Sequence, residues 1–457
     1  MGCIHEAVPF VFSIYNFSFM ERLSLERMAR AENDIELTDE FQAALALMES
    51  AEDHTFITGR AGTGKSTLLR YFIKHTKHRS VVLAPTGLAA IHVGGETIHS
   101  FFKFPPRVLE VKDSRPLPHK RRLFEQLETL IIDEISMVRA DVLDAIDRSL
   151  RLNRGQHHVP FGGVKMIAFG DLHQLAPVVQ GELQLYFSQT YETPYFFSAQ
   201  VLNHCRWQLH ELTRNYRQGK DPAFFELLTR LGRNEMSETD MDHLNERMLH
   251  EDHPMQDAMV TLTATNAAAS AMNNARLAML SGSLCAYPAK ITGDFDDTAT
   301  PAETLLTVKK GAQVMLVRND PGKRWVNGDV GIVEHCSDQE LHVRIKDIVH
   351  EVKPVTWERM RYRFSHEDNK MVQEVVGDFK QFPVKLAWAI TIHKSQGQTL
   401  SRAIVDLGRG AFAHGQVYVA LSRCESMAGL WLKRAIRPSD ILFDDRVLTY
   451  LKSAARL

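Results

Sequence analysis

The segment Gly59-Arg60-Ala61-Gly62-Thr63-Gly64-Lys65-Ser66 constrains this chain more than any other feature. It has the form G-x-x-x-x-G-K-[ST], between an apolar run, Thr55-Phe56-Ile57-Thr58, and a helical pattern starting near Ser66. Glycines in such a loop let successive backbone N–H groups turn toward phosphate oxygens, and the helix start adds positive potential. The lysine reaches the β- and γ-phosphates, and the Ser66 hydroxyl suits Mg²⁺. The sequence therefore predicts a nucleoside-triphosphate site formed by Gly59, Ala61, Gly62, Thr63, Gly64, Lys65, Ser66 and Thr67.

The surrounding pattern is that of an α/β fold. From about residue 40 to 205, apolar runs such as Val81–Ala84, Leu130–Ile132 and Met166–Phe169 alternate with helical patterns, and each run ends at a polar or Gly-rich loop. That is the rhythm of a parallel sheet, whose ligands gather at the carboxyl ends of its strands. The rhythm returns at Met259–Thr263, Val314–Val317 and Ala403–Leu407, which predicts a second α/β unit. Between 325 and 383 the texture changes. Leu341, Val343 and Ile345 alternate with His342 and Arg344, and Asn327-Gly328, Ser337-Asp338 and Lys346-Asp347 mark tight turns. Short strands at this spacing read as a small β-barrel inserted in the second unit. The expected organisation is an extension over 1–34, a first unit over 35–205 with a small insertion at about 103–122, and a second unit over 206–324 and 384–457 around the barrel.

Composition narrows the class only slightly. A chain of 457 residues exceeds a single core, and 44% hydrophobic with 24% charged residues is ordinary for a globular protein. The net charge of −2 excludes a globally basic binder but leaves room for a locally basic groove. Five cysteines with no C-x-x-C pair exclude a zinc ribbon and a disulfide framework and fit a reducing compartment. Val8–Met20 is apolar but too short to span a bilayer and lacks the basic start of a secretory signal. Glu6 stands where a myristoylation signal needs Ser or Thr, so the first residues read as a dispensable extension with Met20 as an alternative start.

Further side chains carry chemistry. Thr129–Ile132 ends in Asp133-Glu134, where Asp133 suits Mg²⁺ binding opposite Ser66 and Glu134 suits deprotonation of an attacking water. Gly170-Asp171-Leu172-His173-Gln174 follows another apolar run, placing Gln174 at a strand tip where a γ-phosphate is sensed. Arg217 and Arg423 are candidate arginine fingers, able to neutralise charge on a transferred phosphoryl group across a two-domain cleft.

Taken in order, Gly59–Thr67, Leu83–Gly87, Asp133–Ser136, Gly170–Val178, Asn215–Gln218, Ala387–Thr399 and Val417–Arg423 resemble the motifs of superfamily-one helicases of the RecD-like branch. Gly95–Phe102 resembles the signature of the PIF (petite integration frequency) helicases. The resemblance spans roughly residues 36–435. It implies two RecA-like P-loop domains, a small hairpin insertion in the first and an SH3-like β-barrel in the second. It also implies ATP-driven movement from 5′ to 3′ on single-stranded DNA with Mg²⁺, single-stranded and forked DNA as partners, a monomer on DNA and no membrane. A motor core this short points to the bacterial cytosol and nucleoid. Thr86, His99, His393 and Ser395 match family positions that face DNA, and Phe101, beside Phe102 and Phe104, offers a platform on which bases stack. A Gln that reads adenine is expected where Phe41 stands, which leaves Gln42, one step later, as the candidate. The insertion at 103–122, rich in Pro and basic residues, is the expected strand-splitting element. Two other readings stay open: a nucleotide-gated clamp that does not unwind, and a RecD-like helicase acting within a repair complex.

Overall fold

The computed structural model describes residues 37–50, 53–177, 179, 182–216, 221–249, 259–295, 300–365 and 367–454. The first unit is built on six parallel strands in the order β3-β2-β4-β5-β1-β6: β1 (His54–Gly59), β2 (Ser80–Ala84), β3 (Glu96–Thr97), β4 (Thr129–Ile132), β5 (Lys165–Gly170) and β6 (Trp207–Leu212). Its helices are α1 (Asp39–Glu49), α2 (Lys65–His75), α3 (Gly87–Val93), α4 (Ile98–Phe102), α5 (Arg121–Gln126), α6 (Ala140–Arg154) and α7 (Glu182–Thr190). The central strands read as unbroken apolar runs because both faces are covered. Ile57, Ile131, Ile167 and Phe169 pack on one side with Phe41, Met48, Leu68 and Phe72 of α1 and α2. Phe56, Leu130, Ile132, Met166 and Ala168 pack on the other with Leu143, Ile146 and Leu150 of α6.

The second unit follows with α8 (Pro222–Gly232), α9 (Glu238–Asn245), β7 (Val260–Thr263) and α10 (Asn266–Met279). Next come β8 (Cys285–Pro288), β9 (Lys290–Gly293), β10 (Leu305–Val308), β11 (Gln313–Leu316), β12 (Val330–Cys336), β13 (Leu341–Ile345), β14 (Ile348–Val352), β15 (Val355–Ser365), β16 (Lys370–Gln381) and β17 (Val384–Leu386). The chain then returns through β18 (Ala389–Thr391), β19 (Ala403–Asp406), α11 (Gln416–Leu421), β20 (Leu430–Leu432) and α12 (Asp445–Ala454). Four of these strands form a second parallel sheet, β18-β7-β19-β20.

Val314–Val317 departs from expectation. β11 pairs antiparallel with β12 and β17, through Val314↔Gly331 and Val314↔Leu386, and so leaves the parallel sheet. No helix lies in 317–329, and a parallel return needs a crossover. Antiparallel strands therefore extend beyond 325–383 on both sides, in three sheets: β14-β13-β12-β11-β17, β15-β16-β9 and β10-β8. On β13, Leu341, Val343 and Ile345 are buried, while His342 and Arg344 lie outward. At the next turn Lys346 and Asp347 both take positive φ, 48° and 66°, the geometry of a tight two-residue hairpin.

Residues 103–122 form no hairpin. They make two 3₁₀ turns, Val111–Asp113 and Pro118–Lys120, laid against α6. Leu109 N–H donates to the Asp141 carboxylate at 2.9 Å and Leu117 N–H to Asn153 at 2.6 Å, with both leucine side chains buried. Pro105, Pro106, Pro116 and Pro118 remove ladder donors, and anchoring to α6 replaces strand pairing. Arg115, His119, Arg121 and Arg122 stay exposed. Lys120 is buried instead, donating to Phe101 O at 2.9 Å with Glu96 at 3.9 Å; burial pushes its ammonium down to about 8 against the pull of Glu96.

The β15–β16 hairpin reaches the first unit. The Tyr362 hydroxyl accepts from Val82 N–H at 3.2 Å, Tyr362 N–H donates to Glu96 at 3.3 Å, and Arg359 donates to the Ser100 hydroxyl at 3.2 Å. Tyr362 is buried, and Phe364 and Met371 pack on the same core as Phe101. Among the described residues no helix is long and apolar enough to cross a membrane. The extension over 1–34 lies outside the described residues.

Candidate active site

The carboxyl ends of β1, β4 and β5, neighbours in the first sheet, each open into a loop carrying one of the sequence motifs. The phosphate loop leaves β1 with Gly59, Gly62 and Gly64 at φ 151°, 87° and 87°. Glycine is required twice over at Gly64: a Cβ there would lie 2.9 Å from the Phe41 ring. Phe41, at the position where the adenine-reading Gln was expected, is thus buried as the floor of the loop. Gln42 is exposed and donates to Leu37 O at 3.0 Å. α2 starts directly from Gly64, so the first helical N–H groups point into the loop.

Lys65 Nζ donates to Gly59 O and, at 2.9 Å, to Arg60 O, and Thr63 holds the loop through its hydroxyl on Arg60 O, also 2.9 Å. Ser66 is exposed at the mouth, with Thr67 half-buried behind it. Asp133 and Glu134 follow β4, and Glu134 takes a left-handed conformation, φ 51°, rare outside glycine. Burial raises the Asp133 carboxyl, with Lys65 pulling it back down. Burial and then the Asp133 charge push Glu134 up to about 7, against Lys65 and Arg423. Gln174 is buried beyond β5 and donates to Asp171 at 3.0 Å; its carbonyl accepts from Gln396 of the second unit at 3.4 Å.

The second unit was expected from 206, but β6 (Trp207–Leu212) belongs to the first sheet; the segment after β6 and the second unit together close the other side. Asn215 donates to Ala61 O at 2.8 Å, and Tyr216 N–H to Gly62 O at 2.8 Å. The Tyr418 hydroxyl, from α11, accepts from Ala61 N–H at 3.4 Å and donates to Asp171 at 3.3 Å. Gly415 lets α11 approach, since a Cβ there would come within 2.5 Å of the His173 and Gln174 carbonyls. Arg423 is 1% exposed. Its guanidinium donates to Val419 O at 2.9 Å, Ser422 Oγ at 2.9 Å and Ser395 O at 3.3 Å, and its charge acts on Glu134. Arg217 lies outside the described residues. Tyr418 was missed in the sequence, although a hydroxyl inside the apolar run Val417–Leu421 was a usable signal.

The residues expected to face DNA divide. Thr86 is exposed and caps α3, accepting from Ala89 N–H at 3.2 Å. His99 and His393 are half-buried, and burial lowers both imidazoles. Two expectations are corrected. Phe101 is fully buried, edge-on to Phe102 and Phe124 at centroid distances of 4.9 and 5.6 Å, because α4 turns that ring into the core. It presents no face to a base, and Phe102 and Phe104 are buried with it. Ser395 is also fully buried; its hydroxyl donates to Ile392 O at 2.7 Å and its carbonyl receives Arg423. It shapes the arginine's seat from the inside.

Comparison with known proteins agrees with this geometry. The PIF1-like helicase family matches residues 36–241. The ATP-dependent DNA helicase Pif1 of Bdellovibrio bacteriovorus is 33% identical over 436 residues, covering 92% of each chain. The mouse ATP-dependent DNA helicase PIF1 is 34% identical over 90% of this chain, which spans 62% of that longer relative. Pif1 from a Bacteroides species in complex with ADP-AlF4 superposes with a TM-score of 0.86 at 34% identity, over 92% of this chain and 97% of that one. The same Bacteroides protein bound to single-stranded DNA superposes at 0.67 over the same coverage.

Proposed function

This chain belongs to the PIF1-like helicase family, and we propose that it is an ATP-dependent DNA helicase that moves 5′ to 3′ on single-stranded DNA and unwinds forked duplex. One observation carries the reading: the loops after β1, β4 and β5 meet Tyr418 and Arg423, on and just after α11 of the second unit, at one cleft. A nucleotide held there touches both sheets, so its hydrolysis changes how they sit together.

Backbone N–H groups from Ala61 to Thr67 receive the phosphates, and Lys65 exchanges its loop carbonyls for phosphate oxygens. Gln42, at the open edge, is the candidate for the base. The Ser66 hydroxyl and the Asp133 carboxylate would hold Mg²⁺, which neutralises phosphate charge when bound. The fit is good, because Asp133 is desolvated and a cation there would add to the Glu134 backbone N–H and Lys65 in offsetting its charge. Glu134 takes the proton of the attacking water; a carboxyl near 7 is matched to that task at neutral pH. Gln174, tied to Asp171 and Gln396, reports the γ-phosphate to the second unit. Arg423, and Arg217 with it, stabilise the charge that develops on the transferred group.

For DNA, we assign contacts to Thr86, His99 and His393. The hairpin β15–β16 packs beside His99, on Glu96 and Ser100, and the closer superposition on the ADP-AlF4 complex than on the single-stranded-DNA complex supports a different overall arrangement when DNA is bound. The protein is read as acting as a monomer on DNA, in the bacterial cytosol and nucleoid. Strand displacement from forks with a single 5′ or a single 3′ tail tests the reading. The 5′-tailed substrate should be unwound with ATP and Mg²⁺; unwinding from the 3′ tail alone would reverse the polarity, and none from either would leave a clamp.

A further inference from the structure

On the outer face of the β12–β13 ladder, away from the cleft, two histidines and a glutamate converge. A register shift between Val333 and His335 makes Glu334 an extra residue, so His335 stands directly opposite His342. Without it the outward position facing His342 would fall to Glu334. The two rings lie 5.7 Å apart between centroids. Glu340 ends the connecting turn, where Ser337 N–H donates to Glu340 O at 3.0 Å. From the core side the Tyr287 hydroxyl lies 2.7 Å from Ser337 O and 3.0 Å from Glu340 O, fixing the turn. One ligand atom from each of His335, Glu340 and His342 lies within 4.8 Å of the other two.

We propose that His335, Glu340 and His342 bind one divalent transition-metal ion of the zinc class at the tip of the β12–β13 hairpin. Two imidazoles and a carboxylate suit Zn²⁺, Co²⁺ or Ni²⁺, whereas Mg²⁺ and Ca²⁺ prefer oxygen alone. Zinc bonds of about 2.0–2.1 Å place tetrahedral donors roughly 3.3 Å apart, so rotation of side chains at the surface closes the gap while the ladder stays fixed. Cys336 takes no part, because it faces Cys285 on the inner side. Nearby charges are already paired, Arg344 with Glu334 at 2.6 Å and Glu351, opposite His342 on β14, with Lys353 at 3.6 Å. Three protein ligands leave a position for water.

The test uses the full chain, stripped of metal and free of nucleotide, titrated with Zn²⁺ by calorimetry and with Co²⁺ by visible absorption. The wild type should bind one ion in the micromolar range or tighter, with Co²⁺ giving a d–d spectrum. His335→Ala, His342→Ala and Glu340→Gln should each weaken that ion at least about tenfold. Asp133→Asn, in the nucleotide cleft, should leave it unchanged. Circular dichroism of the histidine variants should match the wild type, since both side chains point outward, and Zn²⁺ should raise the melting temperature of the wild type alone. Zinc binding of equal stoichiometry and affinity in the wild type and the His335→Ala/His342→Ala double variant would overturn the site, as would no micromolar binding by the wild type.

Discussion

The two parallel sheets contribute to the cleft in opposite ways. The first offers groups that are open to a ligand: Ser66 is exposed, and Lys65 is held by carbonyls of its own loop. The second offers Arg423, fully buried, with its donors already placed on Val419, Ser422 and Ser395. A side that binds needs accessible donors, whereas a side that responds needs a charge locked to the body it moves. Removing a group from the second sheet should therefore damage turnover far more than binding.

Arg423→Ala is expected to show the largest effect, a loss of about 10³–10⁵ in turnover with little change in affinity for a nonhydrolysable ATP analogue. Arg423→Lys, which keeps the charge but loses the planar fork, separates chemistry from packing. Turnover within a few-fold of wild type in both variants would break the contrast between the sheets. Glu134→Gln should lose about 10²–10⁴ while still binding nucleotide. Glu134 is a base only when ionised, and its pKa is raised to about 7 by burial, so kcat/KM for ATP should fall as pH drops through about 7. A flat profile across neutral pH would remove Glu134 as the base.

Phe101→Ala sharpens the comparison from the DNA side. A ring sealed in the core predicts a loss of about 3–5 kcal/mol in stability with unchanged DNA affinity of the folded protein. A stacking platform predicts the reverse, about 1–3 kcal/mol in affinity with stability kept. A smaller effect is expected at the 103–122 segment. Leu109 and Leu117 anchor it, so wholesale replacement would unfold it, whereas Arg115→Ala, His119→Ala, Arg121→Ala and Arg122→Ala together touch only exposed side chains. Combined, they should slow unwinding several-fold and spare DNA-stimulated ATPase; unchanged unwinding would place strand separation elsewhere.

Legibility in the sequence followed the range of the interactions. The phosphate loop, Asp133-Glu134 and Gln174 are each set by a strand end and the few residues after it, so local pattern located them. Phe101 and Ser395 lie just as close to motif residues, but whether a side chain on a short turn faces out is decided by what packs against it: Phe124 and Tyr362 for one, Arg423 for the other. The antiparallel pairing of β11 depends on partners 17 and 72 residues later, Gly331 and Leu386 against Val314, and the apolar run Val314–Val317 looks the same in either kind of sheet. The clasp of Tyr418 on Ala61 joins residues 357 apart and could be seen only once both sheets were placed.

ATP hydrolysis with and without single-stranded DNA tests most directly whether the cleft between the two sheets is a DNA-driven motor site. Arg423 is seated by the carbonyl of Ser395, two residues from His393, so DNA bound at His393, as proposed, would act on the arginine whose charge acts on Glu134. Saturating single-stranded DNA should raise kcat steeply in the wild type, and this rise should disappear in Arg423→Ala. Equal rates with and without DNA in the wild type would contradict it and leave an ATPase uncoupled from DNA.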